Sequence, residues 1–479
     1  DIMVKQSVKK RLTQILCIVL AALMIVGIIV IVLSGCSPDK VEDPTGSVNT
    51  TQNTTAAAPQ DFPVLRDGSA ICRVVRQDVA SDGLIAAAVA IRRGVESAGG
   101  VLPDIVDDFL MPGEVADPDA YEILVGATNR PESSAVATEF TNYASFSVSV
   151  VGHKIVVLAS DDSGYASAAE WLCDRFYTYA DRKAGTLVLP AELSFSGATN
   201  NMLSTLPLYA TRGRMETLWD CGDDCRMYII KNTAASEYSE YAASLTGAGF
   251  EKYAENKIGD NLYATYTSPG GKYVLNTVYT AYEKKTRLII EPLSKTELPV
   301  VETADTSGGN PVTVTQVGLE YLYDTGKTIA DFQIGMLYII RLHDGRFIIV
   351  DGGYRRQKNL ELFMDQLKKQ APDPQNIKIA AWILTHSHGD HVGLLSQVAN
   401  TPSALKCLSV ERFIYNFPSV GQYKKMEESY PGGVYSSIKM FRGAKTVKAH
   451  PGQRFVIGGA EIEYYSTVEL VAPADCDTG

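Results

Sequence analysis

Residues 380–393, Ala-Ala-Trp-Ile-Leu-Thr-His-Ser-His-Gly-Asp-His-Val-Gly, constrain this chain more than any other stretch. The apolar run Ala380 to Leu384 reads as a strand buried on both faces, and Val392 to Ala399 as the helix that follows it. Three of the chain's six histidines and one aspartate fill the junction. Alternate residues of an extended backbone point the same way, which aims His386 and His388 at one point. Gly389 lets the chain turn sharply, and Asp390 and His391 then open the helix toward a neighbouring point. Imidazole nitrogens and a carboxylate oxygen are ligands that zinc accepts at about 2.0–2.2 Å. The junction therefore reads as a metal site whose ligands are His386, His388, Asp390 and His391.

The 479 residues suffice for about three domains at roughly 100–200 residues per core. A net charge of −11 favours solubility and argues against a nucleic-acid-coating role. The acidic excess lies upstream of the motif, because residues 313–479 hold 18 Lys and Arg against 17 Asp and Glu. Net charge thus leaves an anionic substrate open at the site.

Lys5, Lys9, Lys10 and Arg11 precede an uncharged apolar stretch, Leu12 to Gly35. A basic segment followed by such a run reads as an export signal or a membrane anchor, and it exceeds the about 20 residues that cross a bilayer. Its end, Leu33-Ser34-Gly35-Cys36, resembles the bacterial lipoprotein lipobox, in which cleavage leaves Cys36 as the lipid-modified first residue. An uncleaved single-span anchor is the alternative. Both readings put the rest of the chain on the extracellular face of a bacterial membrane. Residues 37–60 are rich in Ser, Thr, Asn and Pro and read as a flexible tether.

Multidomain α/β and α+β architecture is expected beyond the tether. Residues 61–200 alternate short apolar runs with helical patterns, an α/β domain with His153 in a hairpin turn. Residues 201–300 read as a small α+β domain without a chemical constellation, an adaptor or spacer. Cys221 and Cys225 flank Gly-Asp-Asp there and read as a disulfide or as free buried thiols rather than a metal site, since no nearby His completes a zinc cluster. Residues 301–312 form a linker. From 313 to 479, strands Gly335 to Leu342 and Arg346 to Val350 flank a His343-Asp344-Gly345 turn, and helix Asn359 to Gln370 follows. Gln422 to Ser429 reads as a further helix, and Gly458-Gly459 as the turn of a last hairpin.

Two resemblances add to this reading. The phrase Tyr121 to Ser133 resembles the N-terminal accessory domain of α-glucuronidases and hexosaminidases, which is not the catalytic part of those enzymes. Thr-His-Ser-His-Gly-Asp-His-Val-Gly resembles the T-H-x-H-x-D-H-x-G signature of metallo-β-lactamase-fold hydrolases, and Val350-Asp351-Gly352-Gly353 fits the same family. That second resemblance implies an αββα sandwich over 313–479. It implies two zinc ions, one bound by His386 and His388 and one by Asp390 and His391, with Asp351 beneath them. Metal-activated hydroxide would attack a carbonyl carbon or phosphorus, with Asp390 as the catalytic residue that orients it.

The chain departs from that family in lacking an evident later histidine ligand. His450, followed by Pro451-Gly452, reads as a surface residue. The family domain runs longer than 313–479, so the expectation is a C-terminally incomplete domain whose remaining ligands follow Gly479. Extracellular placement and the Asp351-Gly352-Gly353 and Gln453-to-Tyr465 phrases look most like the secreted hydrolase domain of DNA-uptake competence proteins, which act on phosphodiesters. Arg355 and Arg356, just after the Asp-Gly-Gly turn, suit an anionic substrate such as nucleic acid, or else are a solvated charge cluster. The other function class is a non-catalytic envelope lipoprotein that binds glycans. The lipobox reading is testable directly: Cys36→Ala should abolish metabolic lipid labelling of the chain, and undiminished labelling would remove it.

Overall fold

The computed structural model describes residues 60–136, 138–199, 201–209, 216–303, 309–319, 335–419 and 432–470. The anchor, almost all of the tether, and the helix expected at Gln422 to Ser429 lie outside them. Residues 59–479 belong to one compact unit, built on three principal sheets.

The first sheet grows from the chain order β1 (Phe62–Arg66), β2 (Ser69–Ala70), β3 (Cys72–Arg76), α1 (Asp82–Gly99), β4 (Ile105–Asp107), β5 (Tyr121–Val125), α2 (Pro131–Ala135), β6 (Ser145–Val151), β7 (Lys154–Ala159) and α3 (Asp162–Tyr179). Three more strands complete it and its satellite: β8 (Ala180–Asp181), β9 (Thr186–Leu189) and β10 (Ser194–Ala198). Six strands pair in the order β10-β6-β7-β5-β3-β4, and β2-β1-β9-β8 form a separate small sheet. Helices α1 and α3 start at side-chain caps, Ser81 and Asp161, which satisfy backbone N–H groups that a helix start leaves orphaned. His153 sits in the β6–β7 turn, as expected.

The second sheet is antiparallel, in the order β11 (Glu216–Gly222), β12 (Cys225–Lys231), β16 (Lys285–Pro292), β15 (Tyr273–Thr280), β14 (Asn261–Thr267) and β13 (Glu251–Ile258), with α4 (Ala235–Gly247) after β12. Strand alternation gives it two apolar faces. Tyr228, Ile230, Leu275 and Ile290 pack with Tyr241 and Leu245 of α4. Cys225, Met227, Ile289 and Val278 line the opposite face. That second face meets the C-terminal part of the chain: Gln453 donates to Asn276 at 2.9 Å, Asn256 to the Gly452 carbonyl at 3.0 Å, and Lys448 Nζ to the Cys221 carbonyl at 2.7 Å. The middle sheet is thus docked rather than free. Cys221 and Cys225 are buried free thiols, so the disulfide alternative does not hold.

The third sheet runs β17 (Thr313–Gln316), β18 (Leu337–Arg341), β19 (Phe347–Asp351), β20 (Ile377–Leu384), β22 (Arg412–Tyr415) and β23 (Lys445–Lys448), with β21 (Leu408–Val410) also on β20. Strands β19, β20, β22 and β23 are parallel neighbours. Helices α5 (Gln357–Gln370), α6 (Gly389–Ala399), α7 (Pro402–Cys407) and α8 (Gly432–Ile438) accompany it. Trp382, Leu384 and Phe413 join Phe363, Leu367 and Leu395 on the helix side. On the other side Ala381, Ile383 and Ile414 pack against Phe455 and Ile457 of the hairpin β24 (Arg454–Ile457) and β25 (Ala460–Glu463). Among the described residues this is one helix-covered sheet with a two-stranded hairpin on its opposite face, the α-β-β part of the expected sandwich.

One irregularity sets the direction of the motif. Opposite Phe347 and Ile348, β20 advances by two residues, from Ile379 to Ala381, a β-bulge at the small Ala380. Strand parity flips there, so Ile377 and Ile379 share the helix-side core with Trp382 and Leu384. Trp382 is fully buried and its indole N–H donates to the Asp351 carbonyl at 3.0 Å. Trp382→Ala should therefore cost about 3–5 kcal/mol of unfolding free energy, read from the denaturant midpoint; a midpoint equal to the parent's would contradict this packing.

Candidate metal centre

The motif residues sit where a parallel strand hands over to a helix. β20 ends at Leu384, residues 385–388 form the loop, and α6 begins at Gly389 with His388 as its N-cap. The ring centroids of His386 and His388 are 4.8 Å apart, and those of His386 and His391 3.9 Å. Asp390 Oδ2 lies 3.7 Å from His391 Nε2. Strand and helix therefore bring all four residues to one patch, the outermost being His388, which is exposed. Their ligand atoms do not close to a tight trio: among the described residues, the one group of three with ligand atoms all within 4.8 Å lies elsewhere.

Asp351 organises the patch from below. It ends β19 in a left-handed conformation, φ +57°, a region that Asp tolerates better than most residues, and it is fully buried. Its Oδ1 accepts from the Thr385 backbone N–H at 2.8 Å, and its Oδ2 from the Thr385 hydroxyl at 2.7 Å. Oδ2 also accepts from His391 Nδ1 at 2.7 Å.

Those hydrogen bonds decide the tautomers. A carboxylate only accepts, so His391 donates from Nδ1, and the neutral ring selected this way carries its lone pair on Nε2. The Thr385 hydroxyl spends its proton on Asp351, so it accepts from His386 Nδ1 at 3.1 Å. His386 is then also left with its lone pair on Nε2. Burial first, and then the neighbouring His391 and His388, hold the His386 pKa below its ordinary value, which favours the neutral, ligating form. In the tautomers these hydrogen bonds select, His386 and His391 turn Nε2 away from the network beside a carboxylate, a donor set that suits a borderline metal such as zinc.

The glycines of the two motifs are explained by a close backbone contact. A Cβ on Gly393 would stand 2.4 Å from the Arg355 nitrogen, and one on Gly352 2.8 Å from Leu394 Cβ. Leu394 N–H donates to the Gly353 carbonyl at 2.9 Å. Helix α6 therefore lies directly on the turn that follows Asp351. Arg355 and Arg356 occupy that turn and are exposed. Their backbone flanks the start of α6.

His450 is where the structure overturns the sequence reading. It is no surface residue but fully buried, two positions after the end of β23. Nε2 contacts Glu291 at 2.8 Å and Nδ1 contacts Glu469 at 3.0 Å. Burial alone would lower its pKa, but the two carboxylates outweigh that and hold it up at about 10. It faces the second sheet and not the His386 patch. The description of residues 201–300 as lacking a chemical constellation falls with it, because Glu291 and Cys225 belong to that cluster. Proximity in sequence offered no signal, since Glu291 is 159 positions away from His450.

Residues 330–465 match the family model of the metallo-beta-lactamase superfamily, and the chain carries a domain of that superfamily there. Such a domain suggests a metal-dependent hydrolase. A search of curated proteins finds no match to the chain. Asp351→Asn retains an acceptor for the Thr385 N–H but cannot accept at both oxygens. It should weaken divalent-metal binding at the His386 patch about 10–100-fold, measured by competition with a chromophoric chelator. Unchanged affinity would separate Asp351 from the site.

Proposed function

We propose that the chain is a surface-anchored, zinc-dependent hydrolase acting on a phosphodiester or related ester or amide bond. The observation that carries this is the Asp351–Thr385 network, from which both His386 and His391 turn Nε2 away beside Asp390. Those side chains and His388 are the residues that would hold zinc, in one or two ions. A bound divalent ion supplies Lewis acidity, which makes water a nucleophile near neutral pH and steadies the developing oxyanion.

The chain's own residues do the remaining work. Asp390, half-buried in the first turn of α6, orients the attacking water and accepts hydrogen bonds from it. Asp351 and Thr385 keep the imidazoles in the ligating tautomer. The N-terminus of α6 adds positive potential that favours an anionic substrate. Arg355 and Arg356, on the exposed turn against which α6 is packed, extend that potential outward. Cleavage or retention of the N-terminal segment at Cys36 would tether this domain to the outer face of a membrane.

Metal analysis and phosphodiesterase assay of the parent with His388→Ala and Asp390→Ala test the reading. The parent should hold zinc and hydrolyse bis(p-nitrophenyl) phosphate, and each variant should lose at least about a hundredfold in kcat/KM, on the order of 2.7 kcal/mol. A zinc-free parent, with residual turnover that the variants leave unchanged, would end the hydrolase reading and favour the glycan-binding lipoprotein.

A further inference from the structure

The seam between the second sheet and the metallo-beta-lactamase domain buries a cluster that the His386 patch does not use. Cys225 opens β12, and Glu291 lies near the end of the neighbouring strand β16. His450 comes from the segment between β23 and β24. All three are buried, and one ligand atom from each, a sulfur, an oxygen and a nitrogen, lies within 4.8 Å of the other two.

We propose that Cys225, Glu291 and His450 form a structural binding site for a divalent zinc-like ion that clasps the middle sheet to the metallo-beta-lactamase domain. The donor set is the mixed S, N, O kind that zinc takes. The histidine is oriented for it: Glu469 holds Nδ1, so Nε2 points at Glu291. A carboxylate behind a ligating imidazole is the usual support of a metal-bound histidine. Glu469 is itself held by Asn416 and Thr467. Cys221 is hydrogen-bonded to Cys225 and lies outside the group of three.

Charge balance permits the exchange. Without an ion, the His450 imidazolium and the Lys448 ammonium offset Glu291 and Glu469. Replacing one proton on His450 and one on Cys225 with a divalent cation leaves the buried total unchanged, so the site gains an ion without gaining net buried charge. Lys448 does not occupy the ligand position, since its Nζ is turned to the Cys221 and Gly222 carbonyls at 2.7 and 3.4 Å. A cavity of about 150 Å³ reaches the cluster at one ligand, Glu291, and is lined also by Lys448, Asn416, Tyr415 and Phe417. The Asn416 side-chain oxygen is buried there with no hydrogen-bond partner among the described residues.

Cobalt separates this site from the His386 patch, because Cys225 brings a thiolate to the cluster and the four residues of the patch bring none. The full chain, stripped with chelator and titrated with Co²⁺, should develop a sulfur-to-cobalt charge-transfer band in the near ultraviolet that saturates at about one equivalent. The band should persist in His388→Ala and in Cys72→Ser, and it should vanish in Cys225→Ala. A parent chain that binds cobalt without this band, or that binds none, overturns the proposal even if the Cys225 variant fails to fold. A band that survives Cys225→Ala overturns it as well. Zinc should raise the melting temperature of His388→Ala but not of the His388→Ala, His450→Gln double variant; an equal rise in both contradicts the clasp.

Discussion

A single buried carboxylate, that of Asp351, holds the candidate metal centre in register. It closes one strand, receives the backbone and hydroxyl of Thr385 from the next, and receives His391 from the helix beyond. Hydrogen bonds to a charged group are worth about 1.5–3 kcal/mol each, and leaving such partners unsatisfied costs comparably. Strand β19, the end of β20 and the start of α6 are therefore not independent elements. The left-handed backbone at Asp351 and the absence of a side chain at Gly393 are what let the three approach this closely.

The same network links packing to chemistry. Trp382 fills the helix-side core and reaches back to the Asp351 carbonyl, so the fold's largest buried side chain and the polar network share an anchor. The bulge at Ala380 puts Trp382 and Leu384 on the core face, and the histidines continue from there. The tautomers of His386 and His391 are chosen there by Asp351 and Thr385.

Much of this was legible in the sequence because its causes are local. The continuous apolar run before Thr385, the glycine after His388 and the helical run after His391 sufficed to predict strand, turn and helix. Strands Tyr121–Val125, Thr186–Leu189 and Cys225–Lys231 likewise coincide with local runs rich in apolar, β-branched or aromatic residues. What stayed hidden was non-local. Pro451-Gly452 after His450 has the composition of an exposed turn, yet the middle sheet covers it, and its carboxylate partner comes from β16. Strand β23, Lys445–Lys448, carries two lysines in four residues and lacks an apolar signature. Lys448 is nonetheless buried, paired with carbonyls 226 and 227 positions away. Strand alternation in the middle sheet is local, but the segment that covers its second face is distant in sequence.

Anomalous diffraction at the zinc edge from crystals of the full chain grown with zinc would test the central claim most directly. The account predicts a peak within coordination distance of His386 Nε2, with His391 still bound to Asp351 through Nδ1. Zinc-containing crystals with no peak at the His386 patch, or with His391 flipped so that Nδ1 faces the ion, would contradict it.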